Sequence, residues 1–182
     1  MTLGISEVFL KEVSEDEFSK KVNFSRFTNS ERLEYLQFKR YFIQQDDNFL
    51  GYVVWAEAYN KHTKLTNWIL TNIYVSPAYQ GRGVGSSALK KAHAVLLSEL
   101  SAKSYIVTIS NYDMFKMIAR EYANGAIDFY CLINSQYPVE EMKEEEKILE
   151  QIFIQNPHVH ADMIVSFDKN ETERVKPLFF KV

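Results

Sequence analysis

The sequence predicts a mixed α/β domain: a mostly antiparallel sheet flanked by helices, with a βαβ crossover in its second half. Three observations carry this. β-branched and aromatic runs separated by short polar turns fill residues 40–76, the pattern of an antiparallel meander. A glycine-rich turn and a strongly helical run, SSALKKAHAVLLSEL, follow at once. A short β-branched strand, a helix and another strand then complete the alternation of elements.

In chain order, Ser14-Glu15-Asp16-Glu17 is a capping box that opens a short helix from Glu15 to Val22. A second helix is expected from Asn29 to about Gln37, with Leu33 and Leu36 facing inward. Arg40 to Gln45, Phe49 to Tyr59 and Leu65 to Ser76 read as strands, joined by turns at Asp46-Asp47-Asn48 and at residues 60–64. A helix follows from Ser86 to Leu100, with Leu89, Ala92, Leu96 and Leu97 as its apolar stripe. Tyr105 to Ser110 is a strand, and Asp113 to Ala123 is a helix ended by Asn124-Gly125. Ala126 to Ile133 is again a strand. A charged helix from Val139 to about Phe153 comes next. Two final strands, Met163 to Phe167 and Leu178 to Val182, flank a polar DKNETE turn. No repeat or linker interrupts residues 1–182. We therefore expect a single domain with its core at about 40–133 and a C-terminal helix and strands at 139–182.

Composition narrows the function. The 182 residues carry 21 basic and 24 acidic side chains for a formal charge of −3, which is not the footprint of a general nucleic-acid binder. One cysteine, Cys131, excludes an intramolecular disulfide and a Cys-rich zinc site, and fits a reducing, cytoplasmic setting. No basic segment followed by an apolar run opens the chain, and no apolar stretch is long enough to span a membrane. His158 and His160, with Asp162 nearby, fall short of the usual zinc ligand count, so no metal is expected. Aromatic residues make up 14% of the chain, with 13 Phe, 11 Tyr and 2 Trp. Most fall on strands and read as core packing. Tyr52, Trp55, Tyr59 and Trp68 stand out by lying on two neighbouring strands.

The sharpest motif is VSPAYQGRGVG, residues 75–85, between a strand and a helix. Glycines let a backbone turn tightly and approach a ligand. Successive N–H groups at a helix N-terminus then favour an anion such as a diphosphate. Arg82 is placed to add a charge-assisted contact. No Gly-Lys-Ser/Thr ends the loop, so it is not a Walker loop. Gly81, Gly83 and Ser86 nearly meet the dinucleotide fingerprint. That fingerprint, however, follows the first strand of a parallel sheet and is answered by an acidic residue about 20 positions on. Here three antiparallel strands come first, and the next strand ends in Ser and Asn.

The run Val75-x-Pro77-x-x-Gln80-Gly81-Arg82-Gly83-Val84-Gly85 resembles the acyl-CoA-binding motif of the GNAT N-acetyltransferases. Gln80, Gly83 and Gly85 meet every position of that family's Gln/Arg-x-x-Gly-x-Gly/Ala pattern, and the element order from about Arg40 to Ile133 follows the family. The resemblance implies a GNAT-like fold and an acetyl-CoA-dependent acyltransferase, moving acetyl to a primary amine of a small molecule or polypeptide by direct attack in a ternary complex. It implies that amides of Gln80, Gly81, Arg82, Gly83, Val84, Gly85 and Ser86 hold the pyrophosphate. It also implies that the pantetheine arm pairs with the main chain around Ile73, Tyr74 and Val75. Asn111 matches a common cofactor-contacting Asn; its other reading is a helix N-cap.

The resemblance also frames the chemistry. Transfer needs a base for the amine and an acid for the leaving thiolate. By strand alternation, Ile69, Thr71 and Ile73 share one face of the strand where the family often keeps its base, and none of them is a carboxylate or imidazole. Glu57, on the neighbouring strand, is the nearest acidic alternative; otherwise it is a solvated strand residue. Tyr122 is the candidate acid, off the family's usual spacing from Asn111, which lands on Ile118. Tyr52, Trp55, Tyr59 and Trp68, on the strands next to the thioester slot that the resemblance implies, are candidates for an acceptor pocket suited to an apolar or cationic amine. The rival reading, an acyl-CoA-binding sensor or scaffold with weak catalysis, rests on those two departures. In either case the chain is expected to act as a monomer or homodimer, with no nucleic-acid or membrane partner.

Overall fold

The computed structural model describes residues 7–23, 29–109, 111–133, 137–138 and 161–179. They divide between two compact units, Met1–Ala102 and Lys103–Val182. Among the described residues, no helix is long and apolar enough to cross a membrane.

The first unit holds β1 (Phe9–Val13), α1 (Glu15–Lys21), β2 (Leu33–Gln45), β3 (Asn48–Asn60), β4 (Leu65–Val75), a 3-10 turn at Pro77–Tyr79 and α2 (Val84–Ser98). Its strands lie in the order β1-β2-β3-β4, every pair antiparallel. The meander is therefore present, with tight turns where Asp46 and Lys64 take positive φ. The cap of α1 also forms: the Ser14 hydroxyl accepts the Glu17 amide at 3.1 Å.

The two helices of this unit cover opposite faces of its sheet. Phe42 and Tyr52 are paired across β2 and β3. With Val54 they face α1, where the Phe18 ring stacks on Phe42 at 6.1 Å and meets Tyr52 edge-on at 5.3 Å. Phe18 is buried, and a side chain of that size stabilises a fold by about 1.5–3 kcal/mol when removed from water. Tyr41 and Val53 point the other way, since side chains alternate along a strand. There the Tyr41 hydroxyl donates to Glu99, just past α2, at 3.5 Å. Ile43, Val53 and Trp55 fill the core on this side, with Ala88, Leu89, Ala92 and Leu96 buried along α2.

The second unit holds β5 (Ser104–Ile109), α3 (Tyr112–Ala123), β6 (Asp128–Ile133), β7 (Tyr137–Pro138), β8 (Ala161–Ser166) and α4 (Lys169–Phe179). Its strand order is β5-β8-β6-β7, again antiparallel pair by pair. α3 meets one face, where Phe115 and Tyr122 set their rings edge-on to Phe129 at 6.5 and 5.1 Å. α4 meets the other, with Lys176 over the Tyr130 ring at 4.4 Å and Ser104 donating to Glu171 at 3.1 Å.

Two expectations about elements are corrected. The stretch expected as a helix from Asn29 to Gln37 carries the first half of β2, and Leu36 is exposed rather than inward. Its Leu spacing suits a helix, but the thirteen residues of β3 pair with it from Leu33 onward, with a bulge at Leu36, and such pairing overrides a local preference. The DKNETE turn and the strand expected from Leu178 are instead α4, which runs from Lys169 to Phe179. Asp168 is its cap: the carboxylate accepts the Glu171 amide at 2.7 Å. The cluster of polar residues was a helix start, not a turn. The 139–153 charged helix, His158 and His160 lie outside the described residues, as do residues 180–182.

Candidate functional site

The end of β4 is shaped by a neighbour on β3. Gly51 pairs with Val75, and a Cβ on Gly51 would stand 1.9 Å from the Tyr74 carbonyl oxygen. Only glycine allows that approach. The chain then leaves the sheet with the Ser76 amide donating to the Leu50 carbonyl at 2.7 Å and turns once through Pro77–Tyr79.

Gln80 closes this turn. Its side-chain amide donates back to the Val75 carbonyl at 2.8 Å, so the glutamine of the motif braces the loop rather than reaching outward. Gly81 and Gly83 follow with φ of +73° and +78°. A Cβ at either would meet nothing within 4 Å. The backbone conformation, not space, is what demands glycine there. Arg82 between them is exposed.

Gly83 is the N-cap of α2 and brings no side chain to its first amides. The first intrahelical bond runs from the Ser87 amide to the Gly83 carbonyl at 3.0 Å. The amides of Val84, Gly85 and Ser86 therefore have no partner within the helix. The first turn of α2 carries no acidic residue. Open amides at the positive end of a fifteen-residue helix form a ready site for an anion. This chemistry fits the pyrophosphate of an acyl-CoA.

β4 breaks its alternation before reaching the loop. Val54 pairs with Asn72 while Trp55 pairs with Leu70, so Thr71 is a bulge. The Thr71 hydroxyl donates to the Val54 carbonyl at 3.0 Å and is spent on that bulge. The bulge also corrects the expectation that Ile69, Thr71 and Ile73 share one face. Ile69 stands opposite Ala56 and Ile73 opposite Val53, and those two β3 residues point to opposite sides.

The other expected residues separate clearly. Ile73, Tyr74 and Val75 form the last three residues of β4, paired with Val53, Tyr52 and Gly51. Glu57 pairs with Trp68 and accepts the Gln37 side-chain amide at 3.4 Å. It lies on the α2 side of the sheet, about 20 Å along β3 from Gly51 at ~3.3 Å per residue. Asn111 and Tyr122 belong to the second unit. Asn111 caps α3, its side-chain oxygen accepting the Met114 amide at 2.9 Å. Tyr122 stands near the other end of that helix, about 16 Å away at 1.5 Å per residue. Its ring is partly exposed and leans on Phe129. Of the four aromatics expected at an acceptor pocket, Trp55 and Trp68 are buried in the core. Tyr52 lies on the opposite face from them, stacked on Tyr74 at 5.1 Å.

Sequence reasoning missed three features: Gly51, the Thr71 bulge and Asn72. Asn72 Oδ1 is buried and has no hydrogen-bond partner. A lone glycine in an aromatic strand was the available signal for the first. The other two depend on strand register, which no local pattern shows.

A strand, a glycine loop with two left-handed residues and an uncapped helix start together define an anion-cradling α/β protein. The chain belongs to the acetyltransferase (GNAT) family, whose model matches residues 8–120. Among solved structures, it resembles the spermidine/spermine N-acetyltransferase SpeG from Vibrio cholerae in a complex with manganese ions. There the TM-score is 0.53 at 12% identity, covering 93% of this chain and 97% of that one. A spermidine N-acetyltransferase chimera of Vibrio cholerae SpeG and hSSAT matches with a TM-score of 0.52 at 12% identity, covering 89% and 96%. These likenesses are of fold. No curated protein matches the sequence.

Proposed function

We propose that this protein is an N-acetyltransferase that moves an acetyl group from acetyl-CoA to a primary amine. The observation that carries the reading is the row of open amides at Val84, Gly85 and Ser86, presented by two left-handed glycines in a chain of the GNAT family. Gly81 to Ser86 bind the pyrophosphate, and Arg82 adds charge from the loop. The main chain of Ile73, Tyr74 and Val75 orients the extended arm, and amides near Val75 polarise the acyl carbonyl.

Acetyl-CoA supplies an activated acyl carbon: the amine nitrogen bonds to it, the C–S bond breaks, and an amide and the CoA thiol result. The amine must shed a proton and the thiolate must gain one. We assign the returning proton to Tyr122; Glu57, on the α2 side of the sheet and six residues along β3 from Gly51, is out of reach of that amine, whose proton leaves to water. Primary amines are the acceptor class in this reading, and polyamines enter as one candidate because the SpeG structures carry spermidine acetyltransferase activity in their names.

Calorimetry with acetyl-CoA tests the reading on the full chain, followed by thiol release over a panel of small amines and peptides. Binding in the micromolar range and amine-dependent thiol release are expected, with turnover reduced in Tyr122→Phe and retained in Glu57→Gln. A folded protein that does not bind acetyl-CoA would sink the proposal. Unchanged turnover in Tyr122→Phe removes that residue from its role, and a loss of turnover in Glu57→Gln would return the proton transfer to that carboxylate.

A further inference from the structure

Asn72 is a half-buried residue whose side-chain oxygen is sealed from solvent with no hydrogen-bond partner. Leaving such an acceptor unpaired costs a fold stability, and natural proteins rarely keep one without a use. Its position is specific. Asn72 is the residue next to the Thr71 bulge, three residues before the end of β4. Tyr74 lies two residues on along the same face, half-exposed and stacked on Tyr52 at 5.1 Å. Val54 stands directly opposite, and Ala56 and Ile69 follow beyond the bulge. No charged residue of β3 or β4 stands on this face, because Glu57 and Lys64 are placed elsewhere by the register and the turn.

We propose that Asn72, framed by Tyr52 and Tyr74, receives an N–H of the acceptor amine, and that the acceptor carries a single amine nitrogen on an apolar or aromatic body. The inference rests on the acetyl-transfer reading above and names the substrate class of that site. The side-chain amide of asparagine turns broadly about its last torsion, so its oxygen reaches a ligand without backbone movement. An ammonium or amine N–H satisfies the orphan acceptor. The tyrosine faces hold an apolar body and favour one cation. No carboxylate of β3 or β4 stands on this face to answer the second ammonium of a polyamine, and Arg40, opposite Val54 on β2, stands on it as a cation, which separates the proposal from the acceptors named for the SpeG structures.

The test is binding to the full chain, with 2-phenylethylamine and spermidine as probes, each titrated alone and in the presence of desulfo-CoA. Acetyl-CoA is titrated in parallel. The wild-type protein is expected to bind phenylethylamine more tightly than spermidine. Asn72→Leu is expected to weaken phenylethylamine by about ten- to a hundredfold, to leave acetyl-CoA affinity unchanged, and to melt no lower than wild type, since it removes an unpaired group. Equal phenylethylamine affinity in both proteins overturns the proposal. So does tighter binding of spermidine, or a loss confined to acetyl-CoA, which would mean that a pantetheine amide supplies the N–H. Failure of wild type to bind acetyl-CoA counts instead against acetyl transfer, while the amine titrations still judge Asn72.

Discussion

Glycine serves this protein in two physical ways. At Gly81 and Gly83 it permits a left-handed backbone in open space. At Gly51 it permits two strands to touch. The second is the more demanding, because the obstacle is the Tyr74 backbone, which cannot rotate aside as a side chain can. Gly51→Ala is therefore expected to destabilise the fold by about 3 kcal/mol or more, as overpacking against a fixed neighbour does. It should also weaken acetyl-CoA binding, since Val75 and the loop must shift with Tyr74. Urea denaturation and calorimetry check both; a variant as stable as wild type would show that the strands can separate at no cost. The motif glycines were visible in the sequence because they stand together. Gly51 was not, because its reason lies on another strand.

At the scale of elements, local signals were reliable wherever they were also sufficient. The cap at Ser14, the ends of β3 and β4, and the stop of α3 at Asn124-Gly125 agree with the sequence to within a residue or two. Gly125 takes a φ of +76° there, the left-handed residue that ends helices. The failures have a common cause. Leu33 to Gln37 follows helical spacing, yet joins a strand because β3 is long enough to pair with it. Asp168 to Glu173 was read as a turn because its residues favour turns and helix starts alike. The structure resolves that ambiguity, with Asp168 accepting the Glu171 amide and Glu171 held by Arg174 at 3.0 Å. The Arg174 guanidinium keeps the Glu171 carboxyl below the ordinary carboxylate range. Asp168→Ala is expected to cost about 1 kcal/mol and Asp168→Asn much less, as at other N-caps. Chemical denaturation of the two variants checks this, and equal losses would show that charge rather than capping matters.

At the scale of the whole molecule, a buried histidine registers in the stability. His93 lies in α2 with only 6% of its surface exposed, and burial pulls its imidazole down from 6.5 to about 4. The unfolded chain therefore takes up a proton at a higher pH than the folded one. The stability His93 contributes is complete above pH 6.5 and is lost as pH falls toward 4. The loss amounts to about 3 kcal/mol at 1.36 kcal/mol per pH unit. In denaturant titrations, the stability of wild type relative to His93→Gln should fall by that amount between pH 6.5 and pH 4. A difference independent of pH would show that the imidazole charges freely in place.

The sequence by itself determined the meander, the glycine loop, the helix that follows it and, through the motif, membership of the GNAT family. Each is written in residues close along the chain: alternation for strands, caps for helices, and conformational freedom for the loop. Only the tertiary structure decided which side chains share a face. One extra residue at Thr71 reverses the order of β4, setting Asn72 beside the Tyr52–Tyr74 pair and Ile69 apart from Ile73. It also assigned Trp55 and Trp68 to the core and set Glu57 on the α2 side of the sheet. Side-chain direction in a strand has a period of two, so a single bulge inverts every residue beyond it. That shift is fixed by pairing between strands, which a reading along one strand does not contain.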